Sequence, residues 1–309
     1  MKRTFTIGQA LPEKVVTNDD LVALFPDWMP QKILAKTGIA SRHVADGGET
    51  ALDLAVAACK DLFSQGVDRA AVDYVLFCTQ SPVCRLPGSA GLLQHALGLP
   101  TSVGALDYNL GCSGFVYGLS LAKGLIAGGL AKKVLLVTAE TYSKYLAADD
   151  RSTRSIFGDG ATATLVDADL ADRIGAFVFG TDGGGAEKLI VRNGEPLFMD
   201  GPEIFNFTLD VVPPTVDEIC RRNGLARGEI DLFVFHQANR FMLDTIRQVC
   251  ALPEERFYVS LEDVGNTVSS TIPIALRRAE DEGRLRPGMT VMLLGFGVGL
   301  SWAGTIVRT

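Results

Sequence analysis

The chain predicts an α/β fold, and three observations carry that expectation. Apolar runs of strand length alternate with helical patterns between residues 74 and 139, a rhythm that produces sheets covered by helices. A twelve-residue stretch of the first half recurs in the second. The 309 residues, 47% apolar and 21% charged, exceed what one ordinary core holds and imply about two globular units.

Tyr74 to Cys78 has strand length and no charge, Ala90 to Leu97 has a helical pattern, and a further strand lies near Leu106 and ends at Asp107. Residues 108–131 carry a single charge, Lys123, and alternate large with small side chains. This predicts a helix over Gly114 to Ala127 that is buried on every side and therefore has a layer on each. Val134 to Ala139 is the next strand. Gly158-Asp159-Gly160 makes a tight turn into the strand Ala161 to Val166, a structural role. Gly288 to Val307 contains no charged residue and is long enough to span a bilayer. Five glycines interrupt it, so it reads as two buried strands joined at Gly295-Phe296-Gly297-Val298-Gly299.

The repeat sets Gly66 to Phe77 against Gly224 to Phe235, without gaps, each residue 158 positions after its counterpart. Each copy reads as a loop, an aspartate and a buried strand. The expectation is two α/β halves, residues 1–170 and 171–309, packed about a pseudo-twofold axis that gathers equivalent strand ends at one central cleft. No low-complexity segment or long linker separates them, so one compact body is expected.

With 29 basic and 36 acidic residues the formal net charge is −7, and no basic stripe is present to follow a phosphate backbone, which argues against nucleic acid. The opening MKRTFTIGQALPEK lacks a secretion signal's apolar stretch, so the cytoplasm is the expected compartment. Six cysteines form no C-x-x-C pair and only three histidines accompany them. Neither a zinc site nor a disulfide framework is expected.

Cys112, in Gly111-Cys112-Ser113-Gly114, falls between a strand and the central helix. At a helix N-terminus, unpaired amides and the macrodipole favour a thiolate, and flanking glycines admit another molecule. A small residue filling a tight turn is the alternative. His236 directly follows the apolar strand Leu232 to Phe235, at the carboxyl end where α/β sheets bind ligands, although a satisfied core histidine fits as well. His43 and His95 have ordinary surroundings. Asn266, in Gly265-Asn266-Thr267, is by itself a helix cap. The glycine-rich turn at Gly295 to Gly299 is followed by a strand, which argues against a dinucleotide site. Its bare amides suit a developing oxyanion instead.

Taken together, GCSGF, HQAN, GNT and GFGVG, in that order and with FGDGA between the first two, resemble the beta-ketoacyl-acyl-carrier-protein synthase III family of the thiolase superfamily. Lys36-Thr37-Gly38-Ile39 with Arg42-His43 and the terminal strand Leu300 to Arg308 extend the resemblance over nearly the whole chain. It implies a five-layered αβαβα thiolase fold, a homodimer, and Cys112, His236 and Asn266 as the catalytic set, with the amides of Cys112 and Val298 as the oxyanion hole. It places Lys36, Arg151, Gly201 and Asn239 on the CoA thioester and Phe157 and Phe205 at the acyl pocket. Leu86, in Cys84-Arg85-Leu86-Pro87, reaches the partner's acyl pocket, and its small size relative to the family's phenylalanine leaves that pocket longer or wider. CoA enters as a thioester substrate, and neither a cofactor nor a metal is implied.

The implied reaction has two stages. The Cys112 sulfur takes an acyl group from acyl-CoA; a malonyl thioester, on acyl carrier protein or CoA, then loses carbon dioxide and condenses with it while His236 and Asn266 hold the enolate oxygen. Departures from the pattern concern docking. Lys32 stands where the family often has an adenine-stacking tryptophan, with Trp28 one helical turn away. Lys36 replaces an arginine, Phe241 a carrier-docking arginine, and Pro202 follows Gly201. Two other readings remain at this level: an acyltransferase of the same fold that makes an ester or amide without condensation, and a structural partner of an active synthase.

Overall fold

In the computed structural model, which describes residues 4–309, two sheets enclose a pair of helices. The first sheet runs in the order Ile7–Ala10, Gly160–Asp167, Lys133–Glu140, Tyr74–Cys78, Gly104–Tyr108. Tyr74–Cys78 is parallel to both neighbours, and Gly160–Asp167 is antiparallel to both of its own. The second sheet runs Leu232–Phe235, Thr290–Gly297, Ser301–Arg308, Val178–Thr181, with only the first pair parallel.

The strands read as continuous apolar runs because both faces of each sheet are covered. Val75, Phe77, Leu135 and Val137 pack outward against Leu54, Ala58 and Leu62 of the helix Ala51–Ser64. Their neighbours Leu76, Val134 and Leu136 pack inward with Phe115 and Leu119 of Gly114–Ala127 and Ile272 and Leu276 of Thr271–Asp281. Val234, Val291 and Leu293 of the second sheet join that inner cluster. Phe233, Phe235, Met292 and Leu294 face away, against Val212, Val216 and Ile219 of Gly201–Asn223. The layers are helix, sheet, helix, sheet, helix, the five-layered fold expected.

The sequence repeat is a structural one. The 3-10 turns Arg69–Ala71 and Arg227–Glu229 precede the strands Tyr74–Cys78 and Leu232–Phe235. The aspartate in each copy does the same work: the Asp73 carboxylate accepts the amides of Lys132 (2.8 Å) and Lys133 (3.0 Å), and that of Asp231 accepts the amide of Thr290 (2.8 Å). Each pins the start of the parallel neighbour. All strands of the first sheet fall between residues 7 and 167, and all of the second between 178 and 308.

One expectation is corrected. Gly114–Ala127 is fully buried only in its first half, where Phe115, Val116 and Leu119 are inaccessible; Leu121 is 40% exposed and, just beyond the helix, Leu130 74%. Part of the charge-poor stretch over 108–131 is therefore exposed apolar surface, Leu121 and Leu130 included. Gly288 to Val307 is an antiparallel hairpin, and among the described residues no helix is long and apolar enough to cross a membrane. The strand continues through Gly297, which confines the turn to residues 298–300.

Candidate active site

Cys112 lies where the edge strand of the first sheet turns into the central helix, and it is buried. Glycines make room for it. A Cβ on Gly295 would stand 2.5 Å from the Cys112 carbonyl, and one on Gly297 would stand 2.8 Å from the sulfur, so the hairpin backbone of the other half lies directly against the cysteine. The amides of Val298 and of Cys112 itself are near enough to the sulfur to favour its ionised form. Burial pushes the Cys112 thiol up to about 12; the two amides pull the other way, and buried Glu140 adds to the rise. Desolvation opposes the ionised form that a helix terminus favours.

His236 ends the strand Leu232–Phe235 with its amide on the Leu294 carbonyl (2.9 Å), and its ring is buried, with Nδ1 2.7 Å from the Thr271 hydroxyl. Burial lowers its pKa to about 3, which keeps the imidazole neutral. Asn266 is clamped by backbone bonds, its amide donating to Ile156 (2.9 Å) and its carbonyl accepting from Gly158 (3.0 Å). Its Oδ1 accepts the Val268 amide (2.9 Å) in a local turn, while Thr267 and Ser270 hold the cap positions, and Nδ2 lies 3.5 Å from His236 Nε2.

Cys112, His236 and Asn266 line one cavity of about 550 Å3. Lys36, Gly201 and Asn239 line it too, as do Phe157 and Phe205; Asn239 also caps the helix Arg240–Val249 through the Met242 amide (2.9 Å). Phe205 stacks on Phe241, ring centres 5.3 Å apart, so the residue in place of the docking arginine forms part of the wall. One expected residue, Arg151, stands elsewhere; Leu86 is expected in the partner's pocket, not in this one. Arg151 does not line the cavity; its guanidinium sits 5.3 Å over the ring of Trp28, the tryptophan one turn from the family position. Leu86 is 87% exposed and lines no part of the cavity of its own chain. Among the described residues no cluster of His, Cys, Asp or Glu is arranged to hold a metal.

Sequence reasoning passed over Glu140, Thr271 and Gln80. Glu140 ends the apolar run Val134 to Ala139, wholly buried, and accepts the Gln80 amide (3.1 Å) and the hydroxyls of Ser81 (2.8 Å) and Ser269 (2.8 Å). It thereby ties a loop of the first half to the segment that follows Asn266. Burial raises its pKa to about 8. A lone carboxylate closing a largely apolar, buried strand was the available signal.

Two repeated sheets about a pair of central helices, with cysteine, histidine and asparagine meeting in one chamber, define a thiolase-like condensing enzyme. Residues 106–183 match the family described as 3-oxoacyl-[acyl-carrier-protein (ACP)] synthase III, and residues 220–309 match its C-terminal counterpart. Beta-ketoacyl-[acyl-carrier-protein] synthase III 2 of Halalkalibacterium halodurans is 38% identical over 322 aligned positions, covering 99% of this chain and 96% of its own. A 3-oxoacyl-(acyl-carrier-protein) synthase III crystal structure superposes with a TM-score of 0.95 at 52% identity, covering 98% of each chain. A 3-oxoacyl-(acyl carrier protein) synthase from Burkholderia xenovorans LB400 gives 0.92 at 37% identity, over 97% of this chain and 92% of that one. The chain belongs to the beta-ketoacyl-acyl-carrier-protein synthase III family.

Proposed function

We propose that this chain joins an acyl group from acyl-CoA to a malonyl thioester, with Cys112 as nucleophile and His236 and Asn266 as enolate-binding donors. The observation that carries the reading is the shared cavity of the three side chains. In the first stage the Cys112 thiol exchanges with the acyl thioester: the carbon–sulfur bond to CoA breaks, one to Cys112 forms, and the proton lost by Cys112 ends on departing CoA. The tetrahedral oxygen is received by the amides of Cys112 and Val298. In the second, the malonyl carboxylate leaves as carbon dioxide, its electron pair forms an enolate, and the enolate carbon attacks the acyl carbonyl. Cys112 sulfur departs and regains a proton, and a β-ketoacyl thioester is released.

The enolate oxygen requires two donors, which fixes the state of His236. A neutral ring has one N–H. If Thr271 donates its hydroxyl proton to the Val268 carbonyl (3.1 Å), Nδ1 carries the hydrogen and Nε2 has nothing to give; if Thr271 donates to Nδ1 (2.7 Å), Nε2–H faces the cavity beside Asn266 Nδ2. The second arrangement supplies the pair of donors, and Thr271 is the positioning residue that holds it.

Retained Asn266 argues against the ester- or amide-forming alternative, which needs no enolate donor. Acyl carrier protein or CoA carries the malonyl group; on the carrier-docking face Arg240 is paired with Asp244 (3.0 Å) and Phe241 is 59% exposed, so docking there relies less on free positive charge. A second copy completes the enzyme: Gly104–Tyr108 is an edge strand paired on one side only, with Leu106 47% exposed. Six unpaired cysteines suit a reducing cytoplasm. Incubation with acyl-CoA is expected to add one acyl mass to Cys112, and malonyl thioester to discharge it as ketoacyl product. Labelling that persists in Cys112→Ala defeats the proposal.

A further inference from the structure

We infer that Glu140 is a positioning residue for the decarboxylating half of the reaction: through Ser269 it holds the strained turn that aims both donors at the enolate oxygen. The inference rests on the reading of His236 and Asn266 as those donors, and it names what keeps them in place.

The turn is Thr267 to Ser270, between Asn266 and the helix Thr271–Asp281. At its centre Val268 is wholly buried with φ +55°, a left-handed conformation that is costly for a β-branched side chain and persists only where the surroundings impose it. Both backbone groups of this residue meet the enolate-binding set. Its amide donates to Asn266 Oδ1 (2.9 Å), and because the carboxamide is planar, a bond at Oδ1 fixes where Nδ2 points. Its carbonyl lies 3.1 Å from the Thr271 hydroxyl, which is also 2.7 Å from His236 Nδ1. A relaxed Val268 therefore releases Asn266 and alters the competition for the Thr271 proton, so both donors are disturbed together.

The strand Lys133–Glu140, from the other half of the chain, imposes the conformation. Ser270 Oγ lies 2.8 Å from Thr138 Oγ1, and Ser269 Oγ donates to Glu140 Oε1 (2.8 Å). Glu140 is fixed from the opposite side by the Gln80 amide (3.1 Å) and the Ser81 hydroxyl (2.8 Å), so it does not follow Ser269 if the turn relaxes. Glu140 and Ser269 are both fully enclosed, and removing either leaves a buried polar group without its partner. None of these bonds touches Cys112, which is why the first half-reaction is spared.

The test separates the two half-reactions in the full-length enzyme. Loading of Cys112 is followed by intact mass across acyl-CoAs from acetyl to octanoyl. The acyl-enzyme is then given malonyl-CoA, and single-turnover formation of ketoacyl product is read. Ser269→Ala is expected to lower the limiting rate of product formation by about tenfold, while loading keeps the wild-type rate. The malonyl-CoA concentration giving half that rate should stay within about twofold of wild type, because the donors act on the enolate rather than on the bound malonyl thioester. Glu140→Gln is expected to behave alike and to load Cys112 no more slowly, since the buried carboxyl raises that thiol. In the double variant the loss should equal that of the slower single, the mark of two groups acting through one bond. Single-turnover rate constants do not depend on a misfolded fraction, and Ser269→Ala, which removes one oxygen atom, decides the matter if Glu140→Gln does not fold. Equal slowing of loading and condensation, unchanged condensation in Ser269→Ala, or additive losses in the double variant overturn the inference and leave the acyl-enzyme standing. Failure of the wild type to load or to condense overturns the proposed reaction and this inference with it.

Discussion

The protonation states of two side chains set the behaviour of the site. Cys112 rests as a thiol because burial outweighs its amides, so carboxamidomethylation of the free enzyme at Cys112 should rise by about tenfold per pH unit from pH 6 to 9, as thiolate chemistry requires. A plateau near neutrality would contradict this. His236 is depressed to about 3; its neutral form is therefore complete above about pH 5, and decarboxylation by the acyl-enzyme should show no acidic limb near the ordinary histidine value of about 6.5. Thr271 governs which ring nitrogen bears the hydrogen. Thr271→Val is expected to slow malonyl decarboxylation by roughly 100-fold while Cys112 still loads from acyl-CoA, and Thr271→Ser to restore the rate. Equal loss in both half-reactions would make Thr271 merely structural.

Elements meet at points where no side chain fits. The hairpin strand Thr290–Gly297 presses its Gly295 against the turn that carries Cys112, and Gly295→Ala forces a Cβ to within 2.5 Å of backbone. A destabilisation of about 1–3 kcal/mol, with slower loading of Cys112, is expected from denaturant titration and intact mass. Glu140 joins a loop of the first sheet to the segment after Asn266, with its pKa raised to about 8. A carboxyl raised on folding contributes stability that is fully present below its unfolded value and lost as pH rises through the folded one. The melting temperature should thus fall between about pH 5 and 8 for this group's part, and Glu140→Gln should flatten that slope; an unchanged slope would remove the assignment. The helix Gly201–Asn223 shows the opposite balance of local and tertiary terms. Pro213 and Pro214 lie inside it, each removing a backbone donor, yet Val212, Val216 and Ile219 are fully buried against the second sheet, and that burial outweighs the local loss.

At the scale of the whole molecule the edge strand Gly104–Tyr108 is where a second copy is expected. Leu106→Asp should convert a dimer to a monomer in sedimentation velocity; a wild-type monomer would refute the homodimer. The sequence by itself determined the alternation of strand and helix, the repeat that makes two sheets, and the identity of Cys112, His236 and Asn266, because these depend on local hydrophobic pattern and on motifs whose glycines are needed for close approach. Arg151 was named equally readily, but the fold places it over Trp28 and outside the cavity. Only the tertiary structure decided that Cys112 is a thiol, that Thr271 faces the imidazole, and that Glu140 is buried at a junction. Desolvation and hydrogen bonding between residues 30 to 130 positions apart carry no local periodicity, so no pattern along the chain reports them; they exist once two halves have closed around the same cysteine.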